Sequence, residues 1–199
     1  MLVTEIILIL SVILSAYLLG SVSSAILVCK LMGLADPRDS GSHNPGTTNV
    51  LRIGGRKAAL LTLIGDTAKG ILPVLIAKYL DFSVIWLSAV VAAAFIGHCL
   101  PVFFNFKGGK GIATAFGAVT TMHWQIGLVL LLVWVLVFFI FRISSLAGIS
   151  AALTLPGASW FLYPESFLPL TILSLLVVWR HHENISKLLS GEEDVFRKR

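Results

Sequence analysis

Apolar residues run in long blocks along this chain, and polar residues gather between them in a few dense segments. A helix needs about 20 apolar residues to cross the hydrocarbon core of a bilayer. Seven blocks are candidates: Thr4–Leu31, Ala58–Leu80, Phe82–Phe103, Gly111–Met122, Ile126–Phe141, Ser144–Tyr163 and Phe167–Trp179. The fourth is short and weak. Each is expected to be helical, because an isolated strand in lipid leaves its backbone groups unpaired. No block alternates in the manner of a membrane-barrel strand. The first block lacks a positively charged start and a small-residue cleavage site, so it is expected to be a retained span and not a signal peptide.

Charge gives the expected orientation. Placing the C-terminus inside puts 13 of the 15 Lys and Arg residues, from Lys30 to Arg197, Lys198 and Arg199, on one side. Lys78 alone falls outside, and Lys69 lies within a span. The positive-inside rule then predicts an outer N-terminus and a cytoplasmic C-terminus. The expected fold is an all-α integral membrane bundle of seven transmembrane helices, one domain over residues 1–199. Its long polar segments, 33–57, 105–111 and 180–199, face the cytoplasm, and its outer loops are only a few residues long. Composition agrees. Charged residues are 13% of the chain, about half the usual share of ~25% in soluble domains. The net charge of +5 is explained by membrane asymmetry, and no nucleic-acid partner is expected. The two cysteines, Cys29 and Cys99, sit in apolar runs and read as inert core thiols.

Three polar clusters can carry chemistry. The first runs from Asp39 through Ser42, His43, Asn44, Pro45, Gly46 and Asn49 to Arg52 and Lys57. Its glycines and small polar residues make turns whose N–H groups can cradle an anion. Arg52 can clamp a phosphate with two parallel hydrogen bonds. The second runs from Gly97-His98 through Pro101 to Lys107-Gly108-Gly109-Lys110-Gly111, just before a helix start. Glycine allows close approach of the backbone, and a helix N-terminus favours negative charge. It is not a Walker A loop, because Gly follows Lys110 and Phe104 stands where the first glycine belongs. The third is His181-His182-Glu183-Asn184, where His181 and Asn184 share a helix face. Adjacent histidines point apart, so no metal is expected there. Taken singly, each cluster also fits an ordinary cytoplasmic connector, hinge or cap. Ser23 and Ser24, in the run Gly20–Ala25, fit either close helix packing or a wall beside the ligand loops. His98 reads as either a structural donor or a base. Asp66 and Lys69, spaced i, i+3 inside a span, fit a salt bridge or a functional pair.

Together the clusters say more. Three Gly/His/Asn/basic segments lie at membrane–cytoplasm boundaries of one small helical protein, with few carboxylates among them. That suits anionic phosphate groups, argues against a carboxylate-bound divalent metal, and requires no cofactor. The apolar helices suit a lipid tail. In three ordered motifs the chain resembles the bacterial acyl-phosphate:glycerol-3-phosphate acyltransferases, the PlsY family. These are Ser42-His-Asn-Pro-Gly-Thr-Thr-Asn49-Val-Leu-Arg52; Gly97-His98-x-x-Pro101 running into Phe106-Lys107-Gly-Gly-Lys110-Gly111; and His181-x-x-Asn184-Ile185. One departure stands out: His43 replaces the glycine usual in the first motif. If that position needs φ > 0, His is costlier than Gly but tolerated better than most residues.

The resemblance implies an enzyme of the bacterial inner membrane. It implies acyl transfer from acyl phosphate to the 1-hydroxyl of sn-glycerol 3-phosphate, yielding lysophosphatidic acid and phosphate. Partners would be both substrates, membrane lipid and a soluble enzyme that makes the acyl phosphate. Expected roles follow. Arg52, Lys107 and Lys110 hold phosphates, with Gly108 and Gly109 as the backbone cradle and Ser42 and Asn49 as neutral donors. His181 and Asn184 orient the hydroxyl or polarise the acyl carbonyl. Ser23, Ser24, Asn44 and His98 support. No histidine has Asp five positions later, so the His-x-x-x-x-Asp route of soluble-type acyltransferases is disfavoured. A transporter of phosphorylated anions is the rival reading, weakened by the minimal outer loops and the missing internal repeat.

Overall fold

The computed structural model describes residues 2–196, and all its regular elements are helical. Arg197, Lys198 and Arg199, which contribute to the expected positive tail, lie outside the described residues. The chain forms two compact units, 1–122 and 123–199. The first holds α1 (Val3–Gly20), α2 (Ser24–Leu31), α3 (Thr47–Tyr79), α4 (Val84–Cys99), a 3₁₀ turn (Val102–Phe104) and α5 (Ile112–Met122). The second holds α6 (Trp124–Phe141), α7 (Ser144–Leu162), a 3₁₀ turn (Pro164–Ser166), α8 (Phe167–Arg180) and α9 (His182–Ser190). Five stretches are long and apolar enough to cross a membrane: Val3–Gly20, Thr47–Tyr79, Val84–Phe104, Trp124–Phe141 and Ser144–Leu162. At 1.5 Å per residue, α5 with 11 residues is about 16 Å long and α8 with 14 about 21 Å, short of the ~30 Å hydrocarbon core.

Two expected boundaries differ. The first apolar block is two helices, parted at Ser21–Ser23. The Ser21 hydroxyl turns back to the Tyr17 carbonyl at 2.8 Å, and the Ser23 hydroxyl accepts from Ile26 N–H at 3.4 Å as the N-cap of α2. Such local side-chain bonds compete with helix continuation. The second block starts earlier than expected. α3 begins at Thr47, inside the polar segment, and kinks at Gly55, where φ is 75° and ψ −172°. A residue with a Cβ would be strained there.

In the first unit the helices touch through glycines. A Cβ on Gly20 would strike the Ala94 carbonyl, and one on Gly97 the Tyr17 carbonyl, so α1 and α4 cross backbone to backbone. Gly70 and Gly117 do the same for α3 and α5 against the carbonyls of Thr114 and Thr67. Lipid gives apolar helices no hydrophobic reason to associate, so close van der Waals contact at small residues must do it. The Tyr17 hydroxyl adds a bond to the Leu100 carbonyl (3.0 Å). Lys78, at the end of α3, donates to the last carbonyls of α5, Thr121 (3.0 Å) and Met122 (3.5 Å).

In the second unit, Pro156 lies inside α7 and has no N–H for the Ala152 carbonyl. The Ser174 hydroxyl of α8 takes that role, donating to Ala152 O at 2.6 Å. Ser174→Ala therefore leaves a buried carbonyl unpaired and is expected to cost about 1–3 kcal/mol. The check is a lowered melting temperature in detergent, alongside an unchanged Ser150→Ala control. At the far end of this unit, His123 bonds Ser166 Oγ (2.8 Å) and stacks on Tyr163, whose hydroxyl meets Gln125 (2.7 Å).

Candidate functional site

The first polar segment is shaped by Asn49, which is 1% exposed. Its Nδ2 donates to the carbonyls of Pro37 (2.8 Å) and Ser40 (2.9 Å), and its Oδ1 accepts from Ser42 N–H (2.9 Å). The expected donation from Asn49 to a phosphate is thus replaced: both amide hydrogens serve the loop. Gly41, at φ +64°, passes so close that a Cβ would meet Asn49 Oδ1. Asn49→Ala removes three hydrogen bonds at about 1 kcal/mol each. Faster proteolysis between residues 36 and 46, with helix content retained, is the expected readout.

His43 occupies the left-handed region at φ 57°. The departure from glycine is accommodated, and the ring is anchored through Nδ1 to the Arg38 carbonyl (3.0 Å). Arg38 itself is committed to Asp36, at 2.7 Å between NH2 and Oδ2. That guanidinium holds the Asp36 carboxyl below the usual carboxylate range. Asn44 is half-buried, its carbonyl accepting from Gly46 N–H (2.9 Å). Ser42 and Arg52 are exposed, Arg52 on the first turns of α3 before the kink.

The second segment leaves α4 through Pro101 and turns tightly. Asn105 (φ 54°) and Phe106 (φ 58°) are both left-handed, and Phe106 N–H bonds Pro101 O at 2.9 Å. A bulky residue there costs roughly 1–2 kcal/mol. The turn lays Gly108 and Gly109 back along the end of α4, where Gly109 N–H donates to the His98 carbonyl (3.2 Å). A Cβ on Gly109 would strike His98 Nε2 and come 3.0 Å from the Pro45 carbonyl. Glycine is needed at this approach, and the approach joins the first two polar segments. Ser42, Lys107 and Lys110 thus belong to one pair of touching loops, with Arg52 on the start of α3 that follows the first; Lys107 is exposed and Lys110 half-buried. His98 is buried behind them; its Nδ1 lies 3.3 Å from Thr114 Oγ1. Ser23 and Ser24 are buried too. Ser23 caps α2, and Ser24 lies where a Cβ on Gly65 would meet it.

The third cluster lies in the second unit. The expected single helix is broken at His181, which ends α8 and precedes α9. His181 is 2% exposed, and its Nδ1 meets the Val177 carbonyl at 2.8 Å. A carbonyl only accepts, so Nδ1 carries the hydrogen and Nε2 is the basic nitrogen of the neutral ring. Asn184 is buried and donates from Nδ2 to Glu193 Oε1 at 2.7 Å. A carboxylate also only accepts, so Glu193 fixes the amide and turns Oδ1 the other way. That Oδ1 is buried and has no hydrogen-bond partner among the described residues. Ser145 donates to the same Glu193 oxygen (2.5 Å). Sequence reasoning did not single out Glu193, Ser145 or Thr114. Glu193 is one of three neighbouring acids, and nothing local marks it.

The family model described as glycerol-3-phosphate acyltransferase matches residues 10–191. A glycerol-3-phosphate acyltransferase of Pasteurella multocida (strain Pm70) is 51% identical over 90% of this chain and 89% of its own. One of Shewanella woodyi (strain ATCC 51908 / MS32) is 52% identical over 96% and 94%. Two solved forms of PlsY, an integral membrane glycerol 3-phosphate acyltransferase, share the fold. The glycerol 3-phosphate form superposes with a TM-score of 0.90 at 38% identity, covering 95% of this chain and 96% of that one. The lysophosphatidic acid form gives 0.87 at 36%, covering 95% of each. With a family match over nearly its whole length, relatives about half identical to it and the same helical fold, this multi-pass membrane chain belongs to the glycerol-3-phosphate acyltransferase family.

Proposed function

We propose that the chain transfers a fatty acyl group from acyl phosphate to the 1-hydroxyl of sn-glycerol 3-phosphate, releasing lysophosphatidic acid and inorganic phosphate. The setting is the bacterial inner membrane. The chain is one functional domain crossing seven times, N-terminus out, with segments 33–57, 105–111 and 180–199 on the cytoplasmic side. α5 and α8 are the two short crossings. A soluble enzyme that makes acyl phosphate is the expected donor source.

The observation that carries the reading is the contact of Gly109 with Pro45, which merges two basic, glycine-bearing loops. The solved relatives' glycerol 3-phosphate and lysophosphatidic acid forms support the acceptor and the product. Acyl phosphate is a mixed anhydride with a good leaving group, so no acyl-enzyme is needed. The glycerol oxygen attacks the acyl carbon, the bond from that carbon to the phosphate oxygen breaks, and phosphate departs. Arg52, Lys107 and Lys110 offset the repulsion between two anionic substrates, and Ser42, Gly108 and Gly109 add neutral contacts. Asn184 Oδ1 accepts from the neighbouring 2-hydroxyl of glycerol 3-phosphate and so aligns the 1-hydroxyl, whose own hydrogen is left for the proton acceptor, an effect that can reach roughly 7–11 kcal/mol. The proton passes to His181 Nε2 or to a substrate phosphate, whose second pKa lies near ~6.

The test uses purified protein in lipid with palmitoyl phosphate and labelled glycerol 3-phosphate, without CoA. Equal amounts of released phosphate and lipid-extractable label support the reading. Product from acyl-CoA alone overturns the donor and keeps the acyltransferase. Label trapped in sealed vesicles without lipid product overturns the reaction.

A further inference from the structure

We propose that His98, tied to the buried pair Asp66–Lys69, is a positioning residue that sets the phosphate cradle at Gly109. This rests on the reading of the Lys107–Gly111 loop as a phosphate site. The network is confined to the first unit and joins α3, α4 and α5 to the break between α1 and α2. Lys69 Nζ lies 3.0 Å from Asp66 Oδ1 and donates to the Val22 carbonyl (2.8 Å) in the break between α1 and α2. Thr114, in the first turn of α5, donates its only hydroxyl hydrogen to the Asp66 carbonyl at 2.9 Å. Toward His98 that hydroxyl can then only accept, so His98 Nδ1 carries a hydrogen aimed at Thr114 Oγ1 (3.3 Å) and Asp66 Oδ1 (3.7 Å). The orientation of the ring is thereby set, and its Nε2 edge stands against Gly109. The same residue's carbonyl accepts from Gly109 N–H. His98 thus holds the cradle by ring and backbone together.

Asp66, Lys69, His98 and Thr114 are 2%, 4%, 7% and 0% exposed. A buried ion pair in lipid is a costly way to hold helices together, and apolar residues of the same size often do so as well. What the pair supplies is a single allowed arrangement. The glycines of α3–α5 and α1–α4 already give close packing, so the network is free to serve the loop.

The experiment measures kcat and both substrates' KM for His98→Ala, Gly109→Ala, the double variant and Lys107→Ala, with melting temperature as the folding check. His98→Ala is expected to raise the KM of the same substrate that Lys107→Ala raises, at least fivefold, with kcat within twofold. Gly109→Ala, which strikes the ring, is expected to cost several-fold less once His98 is alanine, the effect that remains coming from its 3.0 Å approach to the Pro45 carbonyl. Unchanged KM values in folded His98→Ala, or a full Gly109→Ala effect in both backgrounds, overturn the proposal. If His98→Ala does not fold, the neutral pair Asp66→Asn/Lys69→Met is read by the same KM criterion. Failure of the donor assignment is separable: if only acyl-CoA reacts, the same comparison is made with it. If nothing reacts, calorimetric glycerol 3-phosphate binding replaces KM, and equal affinity of wild type and His98→Ala overturns the proposal.

Discussion

Asn184→Ala is expected to lower kcat by about 10²-fold, the penalty for a nucleophile misplaced by roughly 1 Å, with KM values little changed. The reason is the one-sided bonding of the Asn184 amide. Nδ2 is held by Glu193, and Oδ1 is the buried acceptor left over. Asn184→Asp keeps an oxygen at that place but sets a second carboxylate against Glu193, so it is expected to fall as far. Glu193→Gln is the sharper test. A glutamine can donate or accept, so it no longer dictates which way the Asn184 amide faces. An intermediate loss of about tenfold is expected, the free-energy equivalent of ~1.4 kcal/mol. Full activity in Glu193→Gln would show that the orientation of Asn184 is set by something else. Steady-state rates in lipid, with melting temperatures alongside, decide the matter.

Arg52→Ala and Lys107→Ala are each expected to raise a substrate KM by about 10- to 100-fold. A hydrogen bond between charged partners contributes roughly 1.5–3 kcal/mol. Both side chains are exposed in the structure, so solvent and salt screen them until ligand covers them. The wild-type KM should therefore climb with ionic strength, and less steeply in either variant. Arg52→Lys should recover part of the loss, because an ammonium keeps the charge without the guanidinium's two-pronged geometry. Complete recovery would mean that Arg52 acts as a point charge.

Much of this arrangement is legible in the residues themselves. The apolar blocks locate the helices, and the i, i+3 spacing of Asp66 and Lys69 anticipates their pairing. His43 was readable as a left-handed position only through the glycine it replaces. Other features depend on distant chain. The break at Ser21–Ser23 is averaged away when hydropathy is read over a whole span. The helical start at Thr47 is hidden because Thr, Asn and paired glycines suggest turns, yet helix continues as far as Gly54 and turns only at Gly55. Asn49 looks like a ligand donor until the fold brings the carbonyls of Pro37 and Ser40 to it. Thr114 and Glu193 gain their roles from partners 16 residues and 9 residues away, and no local pattern announces them.

The shortness of α5 has a consequence for where the chemistry happens. This helix runs alongside α3 between two polar anchors, Asp66 with Thr114 at one end and Lys78 with Thr121 at the other. Twelve residues of helix separate Asp66 from Lys78, a rise of about 18 Å against a hydrocarbon slab of ~30 Å. On the proposed reading in which α5 crosses the membrane, the difference is a hydrophobic mismatch, which a bilayer meets by thinning. On that reading, a phosphate cradle at the start of α5 would sit below the headgroup plane. The proposed water-soluble acceptor would then be brought down toward the acyl chain, and the chain need not be lifted out of the lipid.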